Sequence, residues 1–398
     1  MFRSVVAAGI VVSIAVYYRR QPPPEDQHDP VPVHVTFVNN VADDDLELFW
    51  WDADAAIDRS MAQMGRDGGR FESETYADHI WTFRNLQGVL IRSVVVDAGD
   101  GPQRFAAVVD RAPMDEYARR TGRPWLNVWP RDPVRYHMWG AGPIGRAETV
   151  EVGYGHWLGE GGPDWDELAQ KMMTVTITTE AESPRLVSLA GFMSPAECDQ
   201  FIAEANARGG FQRSLTTDKG IVSESRTSST IWLDTAETPL FEHVSRRMFA
   251  LMRIDYTPER ARRITESFQL LHYGPTQQYK PHTDWFDVDS EENAHYLSVL
   301  KGRNRFATFF LYLSDVDEGG ETAFPLAKGF EYEGTSEEGC QKGLRMRPKK
   351  GDAIIFYSMM PDGNLDPQSL HAGCPVIRGE KYAANIWFWE PTRFGPDP

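Results

Sequence analysis

The stretch Tyr279-Lys280-Pro281-His282-Thr283-Asp284 determines how the C-terminal half of this chain of 398 residues is interpreted. In a β-strand, residues two apart point to the same face, so His282 and Asp284 are expected to present an imidazole and a carboxylate to one point. A second histidine, His371, stands at the start of a predicted hairpin. Two histidines and one carboxylate are the ligands of a mononuclear non-haem Fe(II) site, which leaves the opposite positions open for substrate and O₂.

Lys381 begins the last predicted strand, on the face that also carries Ala383, Asn385 and Trp387. A lysine that faces the interior of a barrel is costly unless an anion pairs with it. Because Ala383 is small, there is room beside it for a dicarboxylate cosubstrate. An isolated His-x-Asp is more often structural or on the surface, but its combination with His371 and Lys381 predicts a metal and cosubstrate site.

Composition narrows the classes of function and the redox setting. The formal net charge of -17 argues against nucleic-acid binding, which needs a basic face. An odd and low number of cysteines does not make a disulfide framework. In an oxidising compartment we predict one bridge, between Cys340 and Cys374, which leaves Cys198 as a free thiol.

The N-terminus carries an apolar run, Val5–Tyr18, within residues 1–20, followed by a Pro-rich, acidic linker at residues 21–30. The run is shorter than the roughly 20 residues of a membrane span. Three interpretations stay open: an uncleaved signal-anchor, a cleaved signal peptide, and a peripheral or other segment. The first two predict the secretory pathway, with an endoplasmic reticulum or Golgi membrane location and a lumenal catalytic domain.

The rest of the chain divides into three parts. Residues 31–112 alternate apolar and polar positions without a helical period, which predicts a small antiparallel β-sandwich. Its predicted strands are Val31–Phe37, Leu46–Trp51, Tyr76–Phe83 and Gly88–Val96. Residues 113–182 show little periodicity and are interpreted as a connector or insertion of unclear fold.

Residues 183–398 begin with helix signals and continue as short strands. Ser194-Pro195-Ala196-Glu197 is a predicted helix start, and a second helix is predicted from Thr238-Pro239. Strands follow from Ile264 to Glu390. This pattern predicts an α+β domain built on a double-stranded β-helix of the jelly-roll or cupin type, with supporting helices.

Several segments of this domain carry a family resemblance. They are Arg226-Thr-Ser-Ser, Glu266-Ser-Phe-Gln-Leu-Leu-His-Tyr273, Gln278-Tyr279-Lys-Pro-His282-Thr-Asp284, Ala307-Thr308-Phe-Phe-Leu-Tyr-Leu-Ser-Asp, Glu318-Gly-Gly-Glu-Thr-Ala-Phe-Pro325, Lys350-Gly-Asp-Ala-Ile-Ile-Phe and Asp366-Pro-Gln-Ser-Leu-His371 through Lys381. With them, residues of about 183 to 391 resemble the collagen-type and plant-type prolyl 4-hydroxylases, which are Fe(II)/2-oxoglutarate dioxygenases.

The resemblance implies roles for particular residues. It implies iron on His282, Asp284 and His371, and the distal carboxylate of 2-oxoglutarate on Lys381. Tyr273 and Thr308 would line the 2-oxoglutarate pocket, and the implied peptide-substrate residues are Arg226, Glu266, Tyr279 and Trp387. The alternatives for these residues are core aromatics, for Tyr273 and Trp387, and a structural ion pair between Arg226 and Glu266.

The implied activity is hydroxylation of peptidyl proline at C4, on Pro-rich or collagen-like proteins, with O₂ as cosubstrate and ascorbate as reductant. Two other interpretations stay open: a 2-oxoglutarate dioxygenase acting on lysine or a small molecule, and a catalytically inactive binding protein. The segment Asp287–Arg305 is longer and more charged than a minimal turn, which is typical of either a lid or an insertion.

The N-terminal block resembles the β-domain of the von Hippel–Lindau tumour suppressor. Its matching segments are Val35-Thr-Phe-Val-Asn-Asn, Leu48-Phe-Trp-Trp-Asp52 and Glu74-Thr75-Tyr-Ala-Asp-His79-Ile-Trp81-Thr-Phe-Arg84. In that family the corresponding surface binds a hydroxyproline, and Thr75, His79 and Trp81 fall on matching positions. The family's tyrosine would fall near Asp58. We hypothesise that this block binds hydroxylated or Pro-rich substrate. The alternative is a structural sandwich with an aromatic core.

Overall fold

A computed structural model defines the fold for most of the chain. It describes residues 31–41, 44–52, 55, 57–66, 68–86, 90–97, 101–107, 112–127, 136–214, 226–288, 290, 293, 297, 303–329, 332, 334 and 336–391. The predicted signal or anchor and its linker lie outside these residues. Within them, every helix is too short or too polar to cross a membrane.

The N-terminal block is a β-sandwich. Its strands are β1 (Val33–Asn39), β2 (Leu46–Asp52), β3 (Ile57–Met64), β4 (Gly69–Thr75), β5 (Ile80–Asn85), β6 (Leu90–Val95) and β7 (Gln103–Ala107). One sheet has the order β4-β1-β7 and the other β3-β2-β5-β6. Both contribute to one hydrophobic core, in which the ring of Phe37 lies 4.6 Å from that of Trp81 and 5.9 Å from that of Phe83.

The sandwich differs from the prediction in two respects. Strand β7 runs parallel to β1, so the block is not wholly antiparallel. The chain reaches β7 only after it has passed through the opposite sheet, and it returns along the edge of β1 in the same direction. The predicted strand Tyr76–Phe83 is also wrong at its start. Asp78 has φ of 65°, so a turn precedes β5 and the strand begins at Ile80.

The second part of the chain combines many strands with short helices. The strands are β8 (Ala147–Gly153), β9 (Met172–Glu182), β10 (Arg185–Ala190), β11 (Gln212–Arg213), β12 (Ser229–Leu233), β13 (Phe268–Tyr273), β14 (Tyr279–His282), β15 (Arg305–Tyr312), β16 (Glu318–Gly319), β17 (Thr322–Phe324), β18 (Leu344–Met346), β19 (Ala353–Tyr357), β20 (His371–Gly373), β21 (Val376–Arg378) and β22 (Lys381–Trp389). The helices are α1 (Ala112–Thr121), α2 (Trp165–Gln170), α3 (Pro195–Arg208), α4 (Pro239–Leu251), α5 (Pro258–Ile264) and α6 (Ser336–Gln341), with 3₁₀ turns at Ala327–Gly329 and Pro367–Ser369.

These strands form the predicted jelly-roll. The large sheet has the order β11-β12-β13-β22-β15-β19-β10-β9-β8, and a smaller sheet has the order β14-β20-β17-β18. Along β22, the side chains of Ala384, Ile386 and Phe388 belong to the hydrophobic core. Lys381 and Trp387, on the other face, line a cleft that is also lined by residues of the smaller sheet.

The supporting helices begin where the sequence predicts. Ser194 caps α3 and forms a capping box with Glu197, and Thr238 caps α4. Both helices bury aromatic side chains, and the rings of Phe201 and Phe241 lie 4.5 Å apart in the core that covers the large sheet.

The large sheet also includes two strands that precede residue 183. Strands β8 and β9 pair with each other, and β9 pairs with β10, so both strands continue the same sheet. The predicted boundary at residue 183 therefore falls inside the β9–β10 hairpin.

The predicted disulfide is confirmed. Cys340 and Cys374 are bonded, and Cys198 is a buried free thiol. The bridge attaches α6 to the chain just after β20, and Gly339 of α6 lies against the ring of Pro281, beside His282.

Candidate active site

Two neighbouring strands and the loop after one of them bring the predicted iron ligands together. His282 ends β14 and lies opposite His371, which begins β20. Asp284 follows β14, and its carboxylate lies between the imidazoles: Oδ1 is 3.8 Å from Nε2 of His282 and Oδ2 is 3.6 Å from Nε2 of His371. Ligand atoms of the three residues lie within 4.8 Å of one another. This is the spacing that one metal ion requires.

Hydrogen bonds fix the orientation of both imidazoles and leave Nε2 of each ring free to bind a metal. The Nδ1 of His282 lies 2.8 Å from the carbonyl oxygen of Lys280, and the Nδ1 of His371 lies 2.9 Å from that of Ser369. Each Nδ1–H therefore donates to a carbonyl and leaves the Nε2 lone pair for a metal. With the carboxylate, this donor set fits Fe(II).

The electrostatics keep the ligands in the forms that bind a metal. Burial alone would raise the pKa of Asp284, but His371, His282 and Arg305 outweigh it and lower the pKa to about 2. Burial, followed by the nearby His371, lowers the pKa of His282 to about 3. At neutral pH the carboxylate is thus ionised and the imidazole of His282 is neutral.

Residues of β15 hold Asp284 in place. The hydroxyl of Thr308 donates to Asp284 Oδ2 at 2.6 Å, and Nη1 of Arg305 donates to the Asp284 carbonyl oxygen at 3.2 Å. Thr308 also lines the cleft, where the 2-oxoglutarate pocket was predicted. The hydroxyl of Thr308, however, is already hydrogen-bonded to the predicted iron ligand Asp284.

Lys381 places a buried ammonium in the same cleft. The residue is 2% exposed, and burial lowers its pKa to about 7. Its Nζ donates to the carbonyl oxygen of Gly320 at 2.7 Å and lies 5.5 Å from the ring centre of Tyr273. The charge of Glu321 opposes this lowering of the pKa, but within the described residues no carboxylate forms an ion pair with the ammonium. This ammonium can therefore pair with a carboxylate of 2-oxoglutarate in the cleft.

Comparison with known proteins agrees with this geometry. Residues 268–389 match the 2OG-Fe(II) oxygenase superfamily. The Arabidopsis thaliana protein named probable prolyl 4-hydroxylase 8 is 39% identical over 214 residues, which are 52% of this chain and 68% of that protein. Prolyl 4-hydroxylase 1 of the same plant is 38% identical over 211 residues, 52% of this chain and 69% of the relative.

The chain belongs to the prolyl 4-hydroxylase family. It is accordingly a 2-oxoglutarate-dependent dioxygenase, with Fe(II) and 2-oxoglutarate as cofactors and ascorbate as the reductant typical of the family. Among solved structures, the viral collagen prolyl hydroxylase of Paramecium Bursaria Chlorella virus-1 is 27% identical, with a TM-score of 0.37, over 51% of this chain and 95% of that one.

In this prolyl 4-hydroxylase family member, three of the predicted substrate residues line the cleft. The cavity measures about 740 Å³ and its walls include Arg226, Tyr279 and Trp387. The guanidinium of Arg226 lies 4.6 Å from the ring centre of Tyr279 and donates to Gln269 Oε1 at 2.9 Å. Tyr279 in turn stacks on the imidazole of His282, with ring centres 3.6 Å apart.

The fourth predicted substrate residue, Glu266, does not line the cleft. Its carboxylate accepts two hydrogen bonds from Arg305, at 2.7 and 2.9 Å. The suggested ion pair between Arg226 and Glu266 is therefore wrong, because each side chain has another partner. Arg305 lines the cleft instead, although the sequence did not predict a role for it. Its only sequence signal was a position at the start of a strand that also carries Thr308.

The sandwich brings Thr75, His79 and Trp81 into one cluster. The Oγ1 of Thr75 lies 2.7 Å from Nδ1 of His79 and accepts a hydrogen bond from Nε1 of Trp81 at 3.4 Å. Trp50 was not predicted to belong to this cluster, but its ring centre lies 5.3 Å from that of His79. Its buried Nε1 has no hydrogen-bond partner within the described part of the chain. Asp58 is held in an ion pair with Arg84.

Proposed function

We propose that this chain hydroxylates C4 of proline residues in Pro-rich or collagen-like proteins. The observation that carries the proposal is a set of unpaired polar atoms on the cleft wall beside the iron ligands. Nε of Arg226, Oδ1 of Asn385 and Nε1 of Trp387 are buried without a hydrogen-bond partner in the part of the chain that the structure describes. Buried polar groups are normally paired, so a bound molecule with its own amides and carbonyls suits this wall.

The shape and composition of the cleft favour an extended peptide. Trp232, Tyr279, Trp285 and Trp387 contribute aromatic surface. Pro-rich segments adopt the polyproline II helix before they bind, which lowers the entropic cost of binding, and they pack into aromatic grooves. The relatives that match this chain are named as prolyl 4-hydroxylases, which supports the same class of substrate.

The residues divide the work of the reaction. Bound iron, 2-oxoglutarate and O₂ supply the oxidising chemistry. Lys381 binds the distal carboxylate of 2-oxoglutarate, beside Tyr273. Thr308 and Arg305 hold Asp284 in position, and the aromatic wall orients the proline and excludes water from it.

Succinate formation from 2-oxoglutarate tests this function and its rivals. The purified chain is assayed with Fe(II), ascorbate and, in turn, a polyproline peptide, a collagen-like peptide, a lysine-rich peptide and free proline. We expect the proline peptides to stimulate succinate formation by the wild-type chain and to have no effect on His282→Ala. The control is His34→Ala, which changes an exposed histidine of the sandwich and should behave as wild type. Stimulation by the lysine peptide alone would favour another substrate, and no turnover with any of them would favour the inactive binding protein.

The unpaired wall atoms give a sharper test of the peptide site. Asn385→Leu removes the unpaired oxygen but keeps the size of the side chain. We expect a higher KM for the peptide and an unchanged KM for 2-oxoglutarate. An unchanged KM for the peptide would show that the unpaired oxygen of Asn385 does not bind the substrate, and the proposal would lose its main support.

We further propose that the sandwich binds proline or hydroxyproline segments and keeps substrate near the catalytic cleft by raising its effective concentration. The Thr75–His79–Trp81 cluster and the unpaired Nε1 of Trp50 support this. The inactive His282→Ala chain is titrated with peptides that contain proline or hydroxyproline, and the titration is repeated with His79→Ala added. Equal affinities in both chains would leave the sandwich with a structural role.

We also propose that the chain acts in the secretory pathway, in an endoplasmic reticulum or Golgi membrane, with its catalytic part in the lumen. The apolar run Val5–Tyr18 and the Cys340–Cys374 bridge support this, because disulfides persist in oxidising compartments. Protease protection of the tagged full chain in microsomes is expected. Digestion without detergent would contradict the lumenal location.

A further inference from the structure

The segment between the sandwich and the large sheet docks on one turn of the catalytic domain. We call residues 112–127, which include α1, the connector, and residues 360–364 the docking turn. Tyr117 of α1 is 1% exposed. Its hydroxyl donates to Asp362 Oδ2 at 2.9 Å and accepts from Asn364 Nδ2 at 3.2 Å. A buried hydroxyl with a donor and an acceptor on the same turn fixes that turn from outside the sheet.

The rest of the connector holds the same turn. The backbone N–H of Leu126 donates to Oδ1 of Asn364 at 2.7 Å, and Nδ2 of Asn364 donates to the carbonyl oxygen of Pro124 at 2.9 Å. Asn127 donates from its Nδ2 to the carbonyl oxygen of Gly363 at 3.0 Å. Asn364 is fully buried, so both ends of its amide are satisfied largely by the connector.

Hydrogen bonds connect the segment after the docking turn to the iron ligands. Asp366 lies two residues after the turn, and its carbonyl oxygen accepts hydrogen bonds from Nε1 of Trp285 at 3.3 Å and from the hydroxyl of Ser369 at 2.7 Å. Trp285 is the residue after Asp284. The carbonyl of Ser369 is the group that orients His371. One carbonyl thus joins the loops that carry two of the three ligands.

We propose that the connector, through Tyr117, is a positioning element of the iron site. It holds the docking turn, and the turn holds the loops that aim Asp284 and His371. Lys381 lies on β22, in the interior of the large sheet, and is independent of this turn. The connector therefore acts on metal affinity and leaves 2-oxoglutarate binding unchanged. The inference rests on the metal site and holds whatever the substrate is.

Metal affinity of full-chain variants tests this proposal without turnover. Tyr117→Phe removes the hydroxyl but keeps the ring, which lies 5.3 Å from that of Trp125. Asn127→Ala removes the bond to Gly363. The control is Tyr256→Phe, because the hydroxyl of Tyr256 has no hydrogen-bond partner within the described residues. Binding of Mn(II), as a probe for Fe(II), is followed by electron paramagnetic resonance, and amide hydrogen exchange is measured at residues 366–373.

We expect weaker Mn(II) binding in Tyr117→Phe, by roughly 3- to 10-fold, below the loss seen when a direct partner of a metal ligand is removed. Exchange at residues 366–373 rises in the metal-free chain, and the Kd of 2-oxoglutarate for the chain saturated with Mn(II) stays the same. Asn127→Ala shows the same pattern if Tyr117→Phe does not fold. Wild-type Mn(II) affinity together with a lower melting temperature would overturn the proposal, because the connector would then be only structural. Peptide turnover does not enter the test, so its failure is distinct from failure of the proposed function.

Discussion

The guanidinium of Arg305 lies 3.6 Å from the ring centre of Trp387, while the same group binds the Glu266 carboxylate and the Asp284 carbonyl oxygen. One side chain therefore connects an iron ligand, a wall of the substrate cleft and a buried acid. Glu266 does not line the cleft itself, but it holds the guanidinium of Arg305, which does.

Arg305→Met should separate stability from function at this position. The change leaves the Glu266 charge buried and unpaired, which costs about 3–5 kcal/mol of unfolding free energy. In Arg305→Met/Glu266→Leu the unpaired charge is gone, so stability returns, but peptide turnover stays low because Asp284 and Trp387 have lost their partner. Urea unfolding and succinate formation are measured on both variants. Recovery of turnover in the double variant would show that the pair is only structural.

Lys381→Met should abolish tight 2-oxoglutarate binding and leave the fold intact. A hydrogen bond to a charged group is lost, so we expect the KM for 2-oxoglutarate to rise roughly 10- to 100-fold. Removal of a buried charge without an anionic partner leaves stability unchanged or raises it. Mn(II) affinity is the control and should match wild type, and an unchanged KM for 2-oxoglutarate would exclude Lys381 as its partner.

Stability should fall in mild acid because of His243. The residue is 3% exposed, and its Nε2 donates to the carbonyl oxygen of Gly155 at 2.9 Å. Burial lowers the pKa of His243 below its ordinary value of 6.5. The unfolded chain therefore takes up a proton below pH 6.5 that the folded chain does not, and stability is lost as the pH falls below that value.

The loss from one such group is at most about 1.4 kcal/mol per pH unit. Urea midpoints measured between about pH 7 and about pH 5 should fall less in His243→Gln than in wild type. Equal slopes in the two proteins would contradict a role for this histidine.

Reduction of the Cys340–Cys374 bridge should destabilise the fold. The bridge closes a loop of 34 residues and holds α6 against β14 and β20. For a loop of that length we expect a loss of about 3–4 kcal/mol when the bond is reduced. Thermal unfolding is compared with and without reductant. In Cys340→Ser/Cys374→Ser the reductant should have no effect, and a wild-type protein that is equally insensitive would contradict the prediction.

The chemistry of the site follows from local sequence more fully than the fold does. The spacing of His282 and Asp284 and the alternation along β22 are local patterns, so they predict which side chains share a face. Glu266 pairs with Arg305, and not with Arg226, because β13 and β15 lie on either side of β22. No local sequence pattern contains that information.

The missed elements have physical reasons of their own. Strand β3 is an edge strand with mostly exposed residues, so it lacks an apolar alternation. Strand β9 does alternate, with Met173, Val175 and Ile177 buried, and that signal was available in the sequence. The contacts of Tyr117 with Asp362 and Asn364 join residues about 245 positions apart, which only the folded chain brings together.

The most direct test of the central claim follows the oxygen atom. A proline-rich peptide is incubated with the enzyme, Fe(II), 2-oxoglutarate, ascorbate and ¹⁸O₂, and the product is analysed by mass spectrometry. We predict 4-hydroxyproline that carries ¹⁸O, formed by wild type and absent with His282→Ala. Consumption of 2-oxoglutarate with an unmodified peptide, or hydroxylation at another residue, would contradict the account.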